Sequence, residues 1–194
     1  MYTNSAYWHQ SRVDFKDKKH SLFVGSCGTY RLYTVKKLPT HRPRGRVDYQ
    51  LLYIASGKAH FYFNGKEQVV SAGNMVLYRP KEEQRYYYYG AEHPEVYWVH
   101  FTGNNVKNIL RKYGIADDVH VICSGISMEY KQLYQNMIQE LQLKQEDYEE
   151  LLVNYLRQLF ILIHRQLLTK PRKKNPMIMD DMAQAVEYFR IHYN

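Results

Sequence analysis

Three short runs of this sequence carry side chains suited to holding a small polar molecule. In Gln84-Arg-Tyr-Tyr-Tyr-Tyr89, an extended backbone would place Gln84, Tyr86 and Tyr88 on one face, because side chains alternate along a strand. The same alternation groups Val96, Trp98 and His100 in the run 96–101, and Tyr49, Leu51 and Tyr53 in the run 47–54. Aromatic rings suit the apolar faces of sugars, and Tyr hydroxyls or an Arg fork suit their hydroxyls or a carboxylate. Each residue also has a plainer role: Trp98 as barrel core, Gln84 as a satisfied edge residue, and at least two of Tyr86 to Tyr89 pointing outward. Other chemistries lack their signatures. There is no G-x-G-x-x-G, no G-x-x-x-x-G-K-[ST], and no Ser/His/Asp or Cys/His grouping that would activate a nucleophile. Cys27 and Cys123 make no disulfide framework and read as small buried residues.

The chain has 194 residues, 20 tyrosines among them, and a formal net charge of +8. A balance this basic invites a nucleic-acid or anionic-surface role, but the position of the charge argues otherwise. Residues 1–46 hold ten Lys/Arg against two Asp/Glu, and residues 47–194 hold seventeen of each sign. The excess sits in Lys16-Asp-Lys18-Lys19 and in Arg42-Pro-Arg44-Gly-Arg46. Charge runs are usually solvated; the sharper expectation is that some of these arginines face an anionic ligand. No apolar run approaches the ~18–20 residues of a membrane span, and no basic stretch followed by an apolar one opens the chain. A soluble cytoplasmic protein without membrane partners is expected.

The elements that would position these side chains change character along the chain. Residues 1–29 show no sustained period and are expected to form an N-terminal arm of low order. From Tyr30 the pattern is β-type: residues 30–38, 47–54, 59–63, 66–71, 75–79, 84–89 and 96–101, separated by Pro39, the loop 41–45, Asn64-Gly65, Gly73 and Pro80. An Asn-Gly pair between two such runs is a strong hairpin signal. Short strands at near-regular spacing predict a barrel or two-sheet jelly roll over 30–125. After residue 126 the period becomes helical. Tyr130, Leu133, Tyr134, Met137, Ile138 and Leu141 share one face. A second helix starts at Asp147, with Glu150 placed to complete a capping box. Its stripe through Leu151, Leu152, Tyr155, Leu156, Leu159 and Ile163 is wide enough to serve a core and a partner, so Leu152, Tyr155, Leu156, Leu159 and Ile163 are the candidate seam of a symmetric dimer. The helical hairpin is assigned to 126–169, and the Pro- and Lys-rich stretch 170–180 reads as a linker. Asp181, with Met182, Ala185, Val186 and Phe189 at helical spacing, opens a further unit over 181–194 that the chain leaves early.

The run from His41-Arg-Pro through Tyr49-Gln-Leu-Leu-Tyr, Gly57, Gly65, Ala72-Gly73-Asn-Met-Val-Leu-Tyr-Arg-Pro80 and Tyr97-Trp-Val-His-Phe-Thr-Gly103 resembles the N-terminal domain of AraC-type bacterial transcription regulators. That resemblance implies a mainly β fold with α: a cupin-like jelly-roll barrel followed by two antiparallel helices, then a linker and helix-turn-helix units. The part that would bind promoter DNA is mostly absent from this sequence. The resemblance implies an effector-binding and dimerisation domain with a sugar, a sugar acid or a related metabolite as ligand. Positions resembling Arg42, Gln84, Tyr86 and Trp98 contact it in sugar-sensing members, and Arg46 lies where the family can also line the pocket. Catalytic residues and cofactors are expected to be none. The rival is a cupin-type carbohydrate enzyme such as an isomerase, or a stand-alone sugar-binding module. A cupin metal site needs several imidazole or carboxylate ligands converging on one point. Here those positions fall near Leu51, Tyr53 and Gln84, and the nine histidines are scattered with no i, i+2 or i, i+4 pair. No metal is expected.

Overall fold

Asn64 and Gly65 adopt positive φ, 52° and 75°, and make the tight turn that their types favour. The computed structural model describes residues 1–9 and 15–169. Within them the strands are Tyr2–Tyr7 (β1), Phe23–Arg31 (β2), Lys37–Arg42 (β3), Tyr49–Ser56 (β4), Lys58–Phe63 (β5), Lys66–Ser71 (β6), Asn74–Tyr78 (β7), Gln84–Tyr89 (β8), Glu95–Thr102 (β9) and Val121–Cys123 (β10). The helices are Val106–Lys112 (α1), Met128–Leu143 (α2) and Tyr148–Leu168 (α3). The expected mainly β fold with a following pair of helices is present. Two antiparallel sheets form it, ordered β1-β2-β9-β4-β7-β10 and β3-β8-β5-β6.

The six-stranded sheet has two covered faces. On one side Leu52, Ile54, Val76, Tyr78, Val96 and Trp98 pack with Phe61, Tyr86 and Tyr88 of the four-stranded sheet. On the other, Leu51, Tyr53, Tyr97, Val99 and Phe101 pack with Tyr134, Leu156, Phe160 and Ile163 of the helices. Side chains of adjacent residues therefore enter different cores. Every residue of β9 is buried as a result.

Three expectations are corrected. Within 1–29, the described strands are no low-order arm: β1 and β2 pair from Tyr2↔Arg31 to Tyr7↔Ser26, and β2 pairs in turn with β9. Small residues on β2 hide its period, and Gly28 has a specific reason to be small. A Cβ there would collide with the Trp98 ring and with Ser5. Asp147 does not cap α3 through its side chain; it sits at φ 59°, and its backbone carbonyl accepts from Glu150 and Leu151. Ser127 caps α2 instead, its hydroxyl accepting from the Glu129 amide at 3.1 Å. Cys27 is buried as expected, whereas Cys123 is exposed. The assigned linker 170–180 and the segment 181–194 lie outside the described residues.

Glu95 ties the sheet to α2. It accepts from Arg31 Nη2 at 2.6 Å, Lys131 Nζ at 2.8 Å and the Tyr97 hydroxyl at 2.8 Å. Burial pushes this carboxyl up, but Lys131, Tyr97 and Arg31 together outweigh burial and hold it below the ordinary glutamate value. A carboxyl with a depressed folded pKa stabilises the fold above its unfolded pKa, and the contribution fades as pH falls through the folded value. Urea titrations should show stability declining below pH ~4.3. Glu95→Gln should flatten that decline and cost about 1.5–3 kcal/mol at neutral pH, the range for a hydrogen-bonded charged group.

Candidate functional site

The inter-sheet interior is aromatic through its middle and polar at one end. Its middle is built by Trp98 and Leu52 from the six-stranded sheet and by Phe61, Tyr86 and Tyr88 from the four-stranded one. Phe61 and Tyr86 lie 5.4 Å apart between centroids, and Tyr78 and Tyr86 5.9 Å. Trp98 packs on His100 at 4.8 Å and meets Tyr7 of β1 at 6.2 Å.

Strand register builds the polar end. Ser26, His100, Gln50 and Tyr78 lie opposite one another across β2, β9, β4 and β7, and Arg42 lies opposite Gln84 across β3 and β8. Ser26 Oγ is 2.8 Å from His100 Nδ1, Arg42 Nη1 donates to Gln84 Oε1 at 3.0 Å, and Gln50 Nε2 reaches the Tyr86 hydroxyl at 3.5 Å. Four buried polar atoms here have no hydrogen-bond partner: Gln50 Oε1, Gln84 Nε2, His100 Nε2 and the Tyr78 hydroxyl. Leaving such a group unpaired costs about 1–3 kcal/mol each. Together they offer an acceptor, a donor and two groups that can do either. Arg46 is also buried, and Asp48 engages its fork: Nε donates to Oδ1 at 2.6 Å and Nη2 to Oδ2 at 2.8 Å.

Four of the six expected ligand residues, Arg42, Gln84, Tyr86 and Trp98, are thus brought to this interior. Arg46 lies nearby but is tied up by Asp48. Tyr53 is a correction. It occupies the opposite face of β4, between Tyr130 at 5.3 Å and Tyr134 at 6.4 Å, and its hydroxyl accepts from the Ser127 amide at 3.2 Å. The whole trio Tyr49, Leu51, Tyr53 faces the helices, and Gln50, Leu52 and Ile54 face the other sheet. With both faces of β4 buried, alternation reveals two faces without saying which is inside. Sequence reasoning consequently missed Gln50; Ser26 and Tyr78 carried no signal, while His100 was visible through its shared face with Trp98.

The proposed dimer seam is corrected as well. Leu152, Leu156, Leu159 and Ile163 are at most 1% exposed and fill the chain's own core. Tyr155 packs partly buried against the same core. The exposed apolar residues of α3 are Leu151, Ile161, Leu167 and Leu168. Among the described residues no three His, Cys, Asp or Glu side chains gather to hold a metal ion, and no helix is long and apolar enough to cross a membrane.

A profile of the family described as AraC-like ligand binding domain matches residues 24–181. The chain belongs to that family. No curated protein sequence matches it. Among solved structures, unsaturated fatty acid bound wild-type ToxT from Vibrio cholerae is 15% identical, with 76% of this chain and 54% of that one covered and a TM-score of 0.43. The AraC-like transcriptional activator CuxR is 9% identical, with 79% and 55% covered and a TM-score of 0.45. A cupin protein from Bacteroides fragilis is 13% identical, with 45% and 76% covered and a TM-score of 0.34. The chain spans about half the length of the ToxT and CuxR chains.

Burial lowers the His100 pKa well below the usual imidazole value, and the charges of Arg46 and Arg42 lower it further. The ring is neutral in the fold and protonates on unfolding, so its contribution is complete above the unfolded pKa and is lost as pH falls toward the folded one. Stability should begin to decline below pH ~6.5. His100→Asn should remove that upper part of the acid profile while leaving the lower part set by Glu95, as read from melting temperatures across pH.

Proposed function

We propose that this chain is the effector-sensing half of an AraC-type transcription regulator, and that its effector is a neutral sugar held between the two sheets. The buried unpaired atoms of Gln50, Gln84, His100 and Tyr78, beside the rings of Trp98 and Tyr86, support this best. Sugar hydroxyls both donate and accept, and their C–H faces pack on rings. A sugar acid fits less well: Arg46 is neutralised by Asp48, Arg42 already donates to Gln84, and His100 is held neutral.

Ligand binding would act through the shared wall. Gln50 and Leu52 face the interior while Leu51 and Tyr53, their neighbours on β4, face the helices. A ligand that prefers one placement of β4 and β9 would shift the population of α2 and α3 arrangements. Promoter DNA would be bound by a part of the regulator beyond this sensor, and a second copy of the chain would meet the exposed apolar side of α3.

A thermal-shift panel of pentoses, hexoses, the matching sugar acids and an unsaturated fatty acid tests the ligand class. A neutral sugar at 100 times its Kd should stabilise by about 2.7 kcal/mol, and Trp98→Ala or Gln84→Leu should abolish the shift. Stabilisation by the fatty acid or the acids alone would overturn the neutral-sugar assignment. Sedimentation tests the dimer: Ile161→Asp and Leu168→Asp should weaken self-association with the fold intact, whereas Leu156→Asp should unfold the domain, at a cost above ~3 kcal/mol for a charge in the core.

A further inference from the structure

The other face of the six-stranded sheet, away from the inter-sheet interior, carries a cavity of its own. A cavity of about 370 Å³ lies where the start of β4, the end of β7 and α1 meet. Its apolar walls are the Tyr49 ring, Pro80, Leu110 and Ile115, and its polar groups are Arg79 and Lys107, with Asp117 at the rim. Phe101 stacks behind the Tyr49 ring at 5.4 Å and 18°, which fixes that wall. The volume falls in the range of small-ligand pockets.

Charge pairing around the cavity is uneven. Asp117 takes Arg111 through both carboxylate oxygens, at 3.2 and 2.5 Å, and Lys107 at 3.2 Å. It is already matched by two cations. Arg79 Nη2 donates to the Ala116 carbonyl at 2.6 Å. Arg79 Nη1 is buried without a hydrogen-bond partner; the nearest acid, Glu82, is 3.8 Å away and spends one oxygen on the Arg79 amide at 2.7 Å. His120 Nδ1 lies 3.7 Å from Glu82 Oε2. Three fixed cations, Arg79, Lys107 and Arg111, therefore face two carboxylates, and the Arg79 side chain lines the cavity beside its aromatic and aliphatic wall.

We propose that this cavity binds a small organic carboxylate with a flat apolar body. The body would pack against Tyr49, Leu110 and Ile115, and the carboxylate would pair with the Arg79 guanidinium in the field of Lys107. Guanidinium-to-carboxylate hydrogen bonds are among the strong ones, and a half-buried setting screens them little. The site does not depend on what the inter-sheet interior binds, because the six-stranded sheet separates the two.

Benzoate is the probe, with benzamide as its neutral counterpart and inorganic phosphate as an anion without an apolar body. In ¹H–¹⁵N titrations of the chain, benzoate should give saturable shifts at the amides of Leu110, Ile115 and Ala116, with a Kd on the order of 1 mM for so small a ligand. Benzamide and phosphate should bind at least ~10-fold more weakly, the effect of losing a charge-assisted bond or the apolar wall. Arg79→Gln should weaken benzoate about 10-fold and Arg79→Lys less, since lysine keeps the charge without the fork. Lys107 is exposed, so Lys107→Glu leaves the fold intact should Arg79→Gln not fold, and it should weaken benzoate about threefold. Trp98→Ala should change nothing here. Equal binding of benzamide, phosphate binding as tight as benzoate, shifts centred on Trp98 and His100, or indifference to Lys107→Glu would each overturn the proposal.

Discussion

Burial of both faces of one sheet is the constraint on which the rest of this structure depends. Once β4 and β9 are covered by the four-stranded sheet on one side and by α2 and α3 on the other, every residue of β9 and all of β4 but its two ends are buried. Each residue must fit one of two cores, and a one-residue slip would exchange the entire content of both. Gly28 shows how tight the fit is, since even a methyl group there would drive into Trp98. The helices are consequently part of the same packed unit as the sheets. They close a wall whose inner lining faces the polar end of the interior.

The polar end pulls against stability. Two buried charged groups are paired: Arg46 with Asp48, and Glu95 with Arg31 and Lys131. The neutral groups are treated differently. Gln50, Gln84, His100 and Tyr78 each keep one polar atom unpaired in the same small region. A fold free of other demands would place apolar residues of similar shape there at little cost. The unpaired neutral groups gather at one end of the inter-sheet interior, whereas Glu95 and its cations lie on the helix side of the six-stranded sheet.

The outer side of the four-stranded sheet is held by a separate network. His60 lies between Glu67 and Glu92, 2.8 Å from an oxygen of each, with Tyr87 stacked on it at 4.9 Å. Tyr87 and Tyr89 thus leave the interior to Tyr86 and Tyr88, as alternation requires. A continuous tyrosine run serves two surfaces at once, with Tyr86 and Tyr88 in the inter-sheet core and Tyr87 and Tyr89 in the outer network.

The sequence by itself determined the β region and its hairpin at Asn64-Gly65, the buried face of α2, and the pairing of Trp98 with His100 and of Gln84 with Tyr86. These are local matters of period and turn chemistry, in which residues a few positions apart settle the outcome. It also placed the charge excess in residues 1–46, where Arg31 lies on β2 and Lys37 and Arg42 on β3. Only the tertiary structure decided which face of β4 looks inward, sending Tyr53 to the helices and bringing Gln50 to the site. It likewise drew β1 and β2 into the sheet and took Leu152, Leu156, Leu159 and Ile163 into the core. A strand or helix that is apolar all round announces burial but not direction. Direction is fixed by what packs against each face, and those partners come from distant parts of the chain.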